Sequence, residues 1–198
     1  MEDGNQKYTE QIKIVKNFIT SEEADFYLQY INNNDHLMKR SRLCGEASKV
    51  LKFGKQTYEK YTTNKNLSII SDIEPIVRNK IFPKVEQTIR AIYANEKDLF
   101  LSDIYFAKQS SGGWVQEHSD QEGDAALHVK YSGIIYLNDV EKGGSLVFPK
   151  LNYEYSPKAG DLVTFPSAGD QYVHFVTTVY EDRYTLPVWV TEDEFWKL

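Results

Sequence analysis

Four histidines are spread along the 198-residue chain, His36, His118, His128 and His174, and two of them stand where chemistry is possible. In His118-Ser119-Asp120 an imidazole and a carboxylate are two positions apart, so on an extended strand both side chains point to one face and can reach a single ion. His174 falls in a later strand-like run and can complete three ligands on one side of that ion. Two imidazoles and one carboxylate leave the opposite positions of a metal such as Fe(II) open for a bidentate co-substrate and oxygen.

A His-x-Asp triplet arises readily by chance, so it needs support from other residues. Nine positions after His174 stands Arg183, the only arginine in the second half of the chain. On a strand antiparallel to that of His174, its planar fork can clamp a carboxylate through two parallel hydrogen bonds. Taken alone, Arg183 reads first as a surface ion pair with Asp182. His36, near an expected helix end, reads as a surface residue, and His128, in an acidic loop, as a surface or substrate-side one.

These residues need a scaffold, and the chain is long enough to bury one core. With 41% hydrophobic and 14% aromatic residues it excludes wholesale disorder and fibrous or disulfide-stapled classes. The single Cys44 cannot form an internal disulfide, and the N-terminal stretch lacks the pattern of a signal peptide. No apolar run approaches the length of a membrane helix. A cytoplasmic protein without membrane contact is expected.

A strand over 12–19 is followed by Thr20 and Glu23, the spacing of a capping box, which predicts a helix over 21–32. A second helical pattern runs from Asp72 to about Ala94, with Pro83 expected to bend or split it. Between them, residues 33–66 read as a loop or short hairpins carrying a basic cluster, Lys39, Arg40, Arg42, Lys49, Lys52, Lys55, Lys60 and Lys65. Such a cluster is either a solvated surface or a guide for an acidic partner. From Leu99 the pattern changes to short runs, 99–107, 114–120, 129–137, 145–149, 152–156, 161–165, 172–179 and 184–190, separated by Gly and Pro punctuation. The fold class expected is mainly β with flanking α-helices, a jelly-roll or barrel core braced by N-terminal helices.

In this order and on this core, the motifs resemble a known family. Residues 99–192 resemble the double-stranded β-helix (jelly-roll, cupin-like) domain of Fe(II)/2-oxoglutarate-dependent oxygenases, in the prolyl 4-hydroxylase-like branch. The resemblance rests on His118-Ser119-Asp120, Gly143-Gly144-Ser145-Leu146-Val147-Phe148-Pro149, the stretch from Pro157 to Phe165, and His174 followed by Arg183-Tyr184-Thr185-Leu186 and Trp189. Residues 12–32 are similar to that branch's opening strand and helix. The whole of 1–198 then reads as one oxygenase domain, with 1–98 supplying the N-terminal strand, helices and substrate-side loops and 99–198 the catalytic β core.

The resemblance implies that His118, Asp120 and His174 bind Fe(II), and that Arg183 pairs with the far carboxylate of 2-oxoglutarate. Tyr105 matches a tyrosine that helps hold this co-substrate, and an ordinary half-buried strand tyrosine is the other reading. Trp189 matches a tryptophan near the pocket, its even spacing from Arg183 keeping both on one face, and a core aromatic is the other reading. Some relatives carry a second co-substrate tyrosine one position before Tyr136-Leu137-Asn138, where this chain has Ile135. The implied reaction consumes O2 and 2-oxoglutarate, releases succinate and CO2, uses ascorbate as reductant, and hydroxylates an unactivated C–H bond. Its leading substrate is a prolyl residue in a peptide or protein, with residues 39–65 in the place of substrate-covering loops. A free amino acid or other small metabolite is the alternative, and a non-catalytic jelly-roll binding module the alternative of a different class. Nucleic acid is disfavoured by the net charge of -6 and by Trp189, where the superfamily's nucleic-acid demethylases carry a second arginine.

Overall fold

In the computed structural model the described residues are 2–40, 67–121 and 126–198. Most of the basic cluster, and Cys44, lie outside them. An N-terminal helix α1 (Glu2–Thr9), not foreseen from the sequence, leads into a short strand β1 (Lys13–Val15). Helix α2 (Ser21–Asn33) opens with the expected capping box, Thr20 accepting from the Glu23 N–H while the Glu23 carboxylate accepts from the Thr20 N–H. Helix α3 (Pro75–Tyr93) starts with Pro at its first position and a Glu74 side chain that accepts from the Ile76 and Val77 amides. It runs unbroken through Pro83, against the expected split. Pro83 and Asn79, whose carbonyl loses its donor there, are both exposed, so water can satisfy what the helix cannot.

The β core comprises β2 (Lys39–Arg40), β3 (Leu67–Ile70), β4 (Phe100–Ile104), β5 (Phe106–Gln109), β6 (Val115–His118), β7 (Val129–Tyr136), β8 (Leu146–Phe148), β9 (Tyr153–Tyr155), β10 (Leu162–Pro166), β11 (His174–Val176) and β12 (Arg183–Thr191). The eight runs read from sequence each contain a strand, and the first is broken at Tyr105 into β4 and β5. A large sheet has the order β1-β10-β7-β12-β5-β3-β2, with β4 also pairing β12, and a small sheet the order β6-β11-β8-β9. Every pairing is antiparallel. Two antiparallel sheets carrying a helix layer make this the expected double-stranded β-helix.

The period of two along β12 shows how the layers are divided. Leu186, Val188 and Val190 face one way and join Ile31 of α2 and Ile81, Val85 and Ile89 of α3 in one apolar core. Arg183, Thr185, Pro187 and Trp189 face the other way and line a pocket. On β7, Ile135 enters the helix-side core while Tyr136 enters a second core, shared with Phe148, Phe165 and Val176, whose strands span both sheets. The helices thus cover the back of the large sheet, and the pocket opens between the sheets. Among the described residues no helix is long and apolar enough to cross a membrane.

Candidate active site

His174 begins β11 and His118 ends β6, and the two are register partners across the small sheet. Their rings lie 4.4 Å apart, with Phe148 and Phe165 packed against the His174 ring at 5.5 and 4.9 Å. Asp120 is placed differently from expectation. The strand stops at His118, and Asp120 sits in the turn beyond it, so the turn and not strand alternation returns its carboxylate to the imidazoles. Asp120 Oδ1 is 3.6 Å from His118 Nε2, and Oδ2 is 3.9 Å from His174 Nε2. One ligand atom from each of the three lies within 4.8 Å of the others.

The backbone fixes which ring nitrogens face this point. His118 Nδ1 lies 2.8 Å from the Gln116 carbonyl and His174 Nδ1 2.9 Å from the Tyr172 carbonyl. A carbonyl only accepts, so each Nδ1 carries a proton and each Nε2 is left facing Asp120. Burial, reinforced by His118, pushes the pKa of His174 down to about 4 despite the opposing Asp120. Burial pushes Asp120 the other way, and the two histidines overcome it, holding the carboxyl well below its usual range. The cluster is two imidazoles presenting Nε2 and one carboxylate, a donor set that fits a divalent metal with open positions.

Arg183 is not on a strand paired with that of His174. It begins β12, in the facing sheet, and is 4% exposed. It is not paired with Asp182, which instead meets Lys108 at 3.1 Å. Its guanidinium lies 5.1 Å from the centre of the Tyr136 ring, and its Nη1 donates to Gln109 Oε1. Three buried polar atoms here have no hydrogen-bond partner among the described residues: Arg183 Nε, Gln109 Nε2 and the Tyr136 hydroxyl. Burial raises the Tyr136 pKa to about 12, with Arg183 opposing, so the phenol keeps its proton. Buried polar groups are rarely left unmatched, and three together mark a place for an acceptor.

The tyrosine beside Arg183 is thus Tyr136 itself, which the sequence reading passed over in favour of the Ile135 position next to it. The Gly143-Gly144 pair has its reason here too. Both residues have positive φ; a Cβ on Gly143 would lie 1.8 Å from the Thr178 carbonyl oxygen, and one on Gly144 would lie 3.2 Å from Arg183 Cδ.

Tyr105 and Trp189 line the same pocket, their ring centroids 5.2 Å apart. Burial, with Asp103 and Asp120 nearby, pushes the Tyr105 phenol far above its ordinary pKa, so it too remains a donor. His128 is apart from the pocket: its Nε2 is 2.7 Å from Ser102 Oγ and its ring stacks on Trp196 at 4.3 Å. His36 is exposed in the short 3-10 turn Asp35–Leu37.

Comparison with known proteins agrees with this arrangement. The family described as the 2OG-Fe(II) oxygenase superfamily matches residues 104–191. No curated protein matches the chain by sequence. Among solved structures, a Pseudomonas putida prolyl-4-hydroxylase superposes with a TM-score of 0.67 at 19% identity, covering 96% of each chain. The viral collagen prolyl hydroxylase of Paramecium Bursaria Chlorella virus-1, in its 2OG complex, gives 0.66 at 16% identity, over 91% of this chain and 95% of its own. A Trichoplax adhaerens prolyl hydroxylase, in complex with a hypoxia inducible factor peptide fragment, gives 0.65 at 15% identity over 96% and 90%. At these identities the likeness is one of fold. The matched residues span β5 to β12 and include His118, Asp120, His174 and Arg183, and the chain has the fold of the prolyl hydroxylases among these structures.

Proposed function

We propose that this protein is an Fe(II)- and 2-oxoglutarate-dependent dioxygenase that hydroxylates an unactivated C–H bond, with a prolyl residue of a peptide or protein as its substrate. One observation carries the reading: a pocket with a two-histidine, one-carboxylate cluster also holds a buried arginine among unmatched donors. A 2-oxo diacid has the complementary ends, a keto acid for the metal and a carboxylate for the arginine. Iron and 2-oxoglutarate would supply the oxidising power, one atom of O2 passing to the substrate and the other to succinate as CO2 is lost. The residues do the rest. His118, Asp120 and His174 would hold the metal and leave one side open; Arg183 and Tyr136 would fix the far carboxylate; the Tyr105–Trp189 pair would border the space where the C–H bond is presented. Ascorbate would serve as reductant. The prolyl substrate is supported by the solved structures of similar fold, one of which holds a peptide.

The test is an anaerobic titration of the Fe(II)-loaded protein with 2-oxoglutarate, following the visible charge-transfer absorption of the chelate. The band is expected in the wild type, absent in His174→Ala for want of bound iron, and displaced to much higher co-substrate concentration in Arg183→Ala. Iron-loaded wild type without a band would overturn the reading. For the substrate, mass spectrometry of proline-containing peptides should show the gain of one oxygen on proline; a panel of such peptides left unmodified would sink the prolyl assignment.

A further inference from the structure

The carboxylate end of the pocket contains a residue that no sequence motif singled out. Gln109 closes β5, is the register partner of both Arg183 on β12 and Leu67 on β3, and is 1% exposed. An arginine has donors only, so the Gln109 atom facing Arg183 Nη1 must be the carboxamide oxygen. That fixes the amide's orientation and turns Nε2, with two N–H groups, away from the guanidinium. Nε2 is fully buried and has no partner among the described residues, like Arg183 Nε and the Tyr136 hydroxyl.

All three orphans are donors, or a hydroxyl able to donate, and they gather around one guanidinium. The group that answers them must accept only, and must offer several lone pairs in a plane. A carboxylate does so, with two oxygens and about four acceptor sites, whereas an amide or hydroxyl would bring a donor of its own into a place already full of donors. The sidedness of Gln109 adds a second role. Its Oε1 holds the guanidinium in one orientation before any ligand arrives, which lowers the cost of ordering that long side chain on binding.

We propose that Gln109 is a co-substrate-binding residue, donating through Nε2 to the far carboxylate of the 2-oxo diacid while its Oε1 positions Arg183; this rests on the reading of the pocket given above. Tyr105, four residues earlier on the same side of the chain and so about 13 Å away along the backbone, serves the other end of the pocket. The assignment has a consequence beyond affinity. Gln109 acts on the diacid's far carboxylate and on nothing that a simple 2-oxo acid possesses, so with Arg183 and Tyr136 it contributes to the preference for 2-oxoglutarate over pyruvate.

The experiment is the anaerobic charge-transfer titration of Fe(II)-loaded protein, run with 2-oxoglutarate and with pyruvate on the wild type, Gln109→Leu and Gln109→Glu. In Gln109→Leu the dissociation constant for 2-oxoglutarate should rise by about tenfold to a hundredfold, the loss of one hydrogen bond to a charged group, while that for pyruvate stays within about twofold. Gln109→Glu should lose more, because the new carboxylate takes Arg183 for itself and repels the dianion. Unchanged 2-oxoglutarate affinity in both variants would overturn the proposal. So would an equal loss for both acids, which would make Gln109 a structural residue only. An iron-loaded wild type that binds neither acid overturns the reading of the pocket itself, whereas a wild type that binds both with variants that do not differ removes Gln109 alone.

Discussion

Two local devices hold the residues of the candidate metal cluster. His118 and His174 are fixed by backbone carbonyls two residues earlier in the chain, which set the tautomer, and Asp120 by the turn that follows β6. The members of this cluster could be singled out from residue type and order, because few histidines leave few choices, and the family resemblance supplied the support that a His-x-Asp triplet lacks alone. The route of Asp120 to the site could not, since a two-residue offset fits a strand and a turn equally well. Tyr136 and Gln109 were missed for one reason: an amide or a phenol acquires meaning only from what it faces. The signal that would have found them was parity. Tyr136 shares its side of β7 with Ser132, and Gln109 shares its side with Tyr105 and Ala107. On the proposed reading, Asp120→Asn keeps the shape of the ligand and removes its charge. Mn(II) affinity measured by calorimetric titration should then fall by at least about a hundredfold, more than outer-shell changes usually cost. An affinity within a few-fold of wild type would place the metal elsewhere.

At the scale of elements, the strands from β4 to β12 and both longer helices were legible because their signals are local, whereas β3 was not read from the sequence. Alternation marked the strands, the Thr20–Glu23 pair marked the start of α2, and Pro75 marked that of α3. Helix α1 was not legible: Glu2–Thr9 is a polar octapeptide with no apolar stripe. Neither was the pairing of strands, which put Arg183 in the sheet opposite His174 where order along the chain suggested neighbours. The Gly143-Gly144 pair joins the two scales, for it lets the segment before β8 pass against the Arg183 stem. A Cβ on Gly144 would meet Arg183 Cδ at 3.2 Å and Val179 Cγ1 at 3.1 Å, at a φ of +72° that side chains disfavour. Gly144→Ala is therefore expected to cost about 1–3 kcal/mol of stability and also to weaken 2-oxoglutarate binding by shifting the guanidinium. Thermal unfolding and the co-substrate titration check the two effects; a loss of stability with affinity intact would show that Arg183 does not depend on this turn.

Across the whole molecule, stability and chemistry are assigned to opposite faces of one sheet. The apolar core on the back of the large sheet, where Ile81, Val85 and Ile89 of α3 join Leu186, Val188 and Val190 of β12, includes none of His118, Asp120 and His174 among its described residues. Ile89→Ala should lower unfolding free energy by about 2–5 kcal/mol in denaturant titration, while the protein that stays folded keeps its 2-oxoglutarate affinity. The edge where the two layers meet is tied by charge. Glu192, just after β12, accepts from Asn95 Nδ2 and Lys97 Nζ, both at 2.8 Å, and lies 3.9 Å from Lys130 Nζ. Burial alone would raise its pKa, but these partners outweigh burial and bring it below the ordinary 4.5. The folded state therefore binds this proton more weakly than the unfolded chain does. Its stabilising effect is full above the ordinary carboxylate pKa and fades as pH falls through the lowered one. Glu192→Gln, a neutral side chain of the same shape, should lose about 1 kcal/mol at pH 7 and nothing once the pH has fallen below the lowered carboxyl pKa and Glu192 itself is protonated. Unfolding curves of the two proteins should accordingly separate at neutral pH and converge in acid, and a gap that persists unchanged however far the pH is lowered would assign the effect to packing.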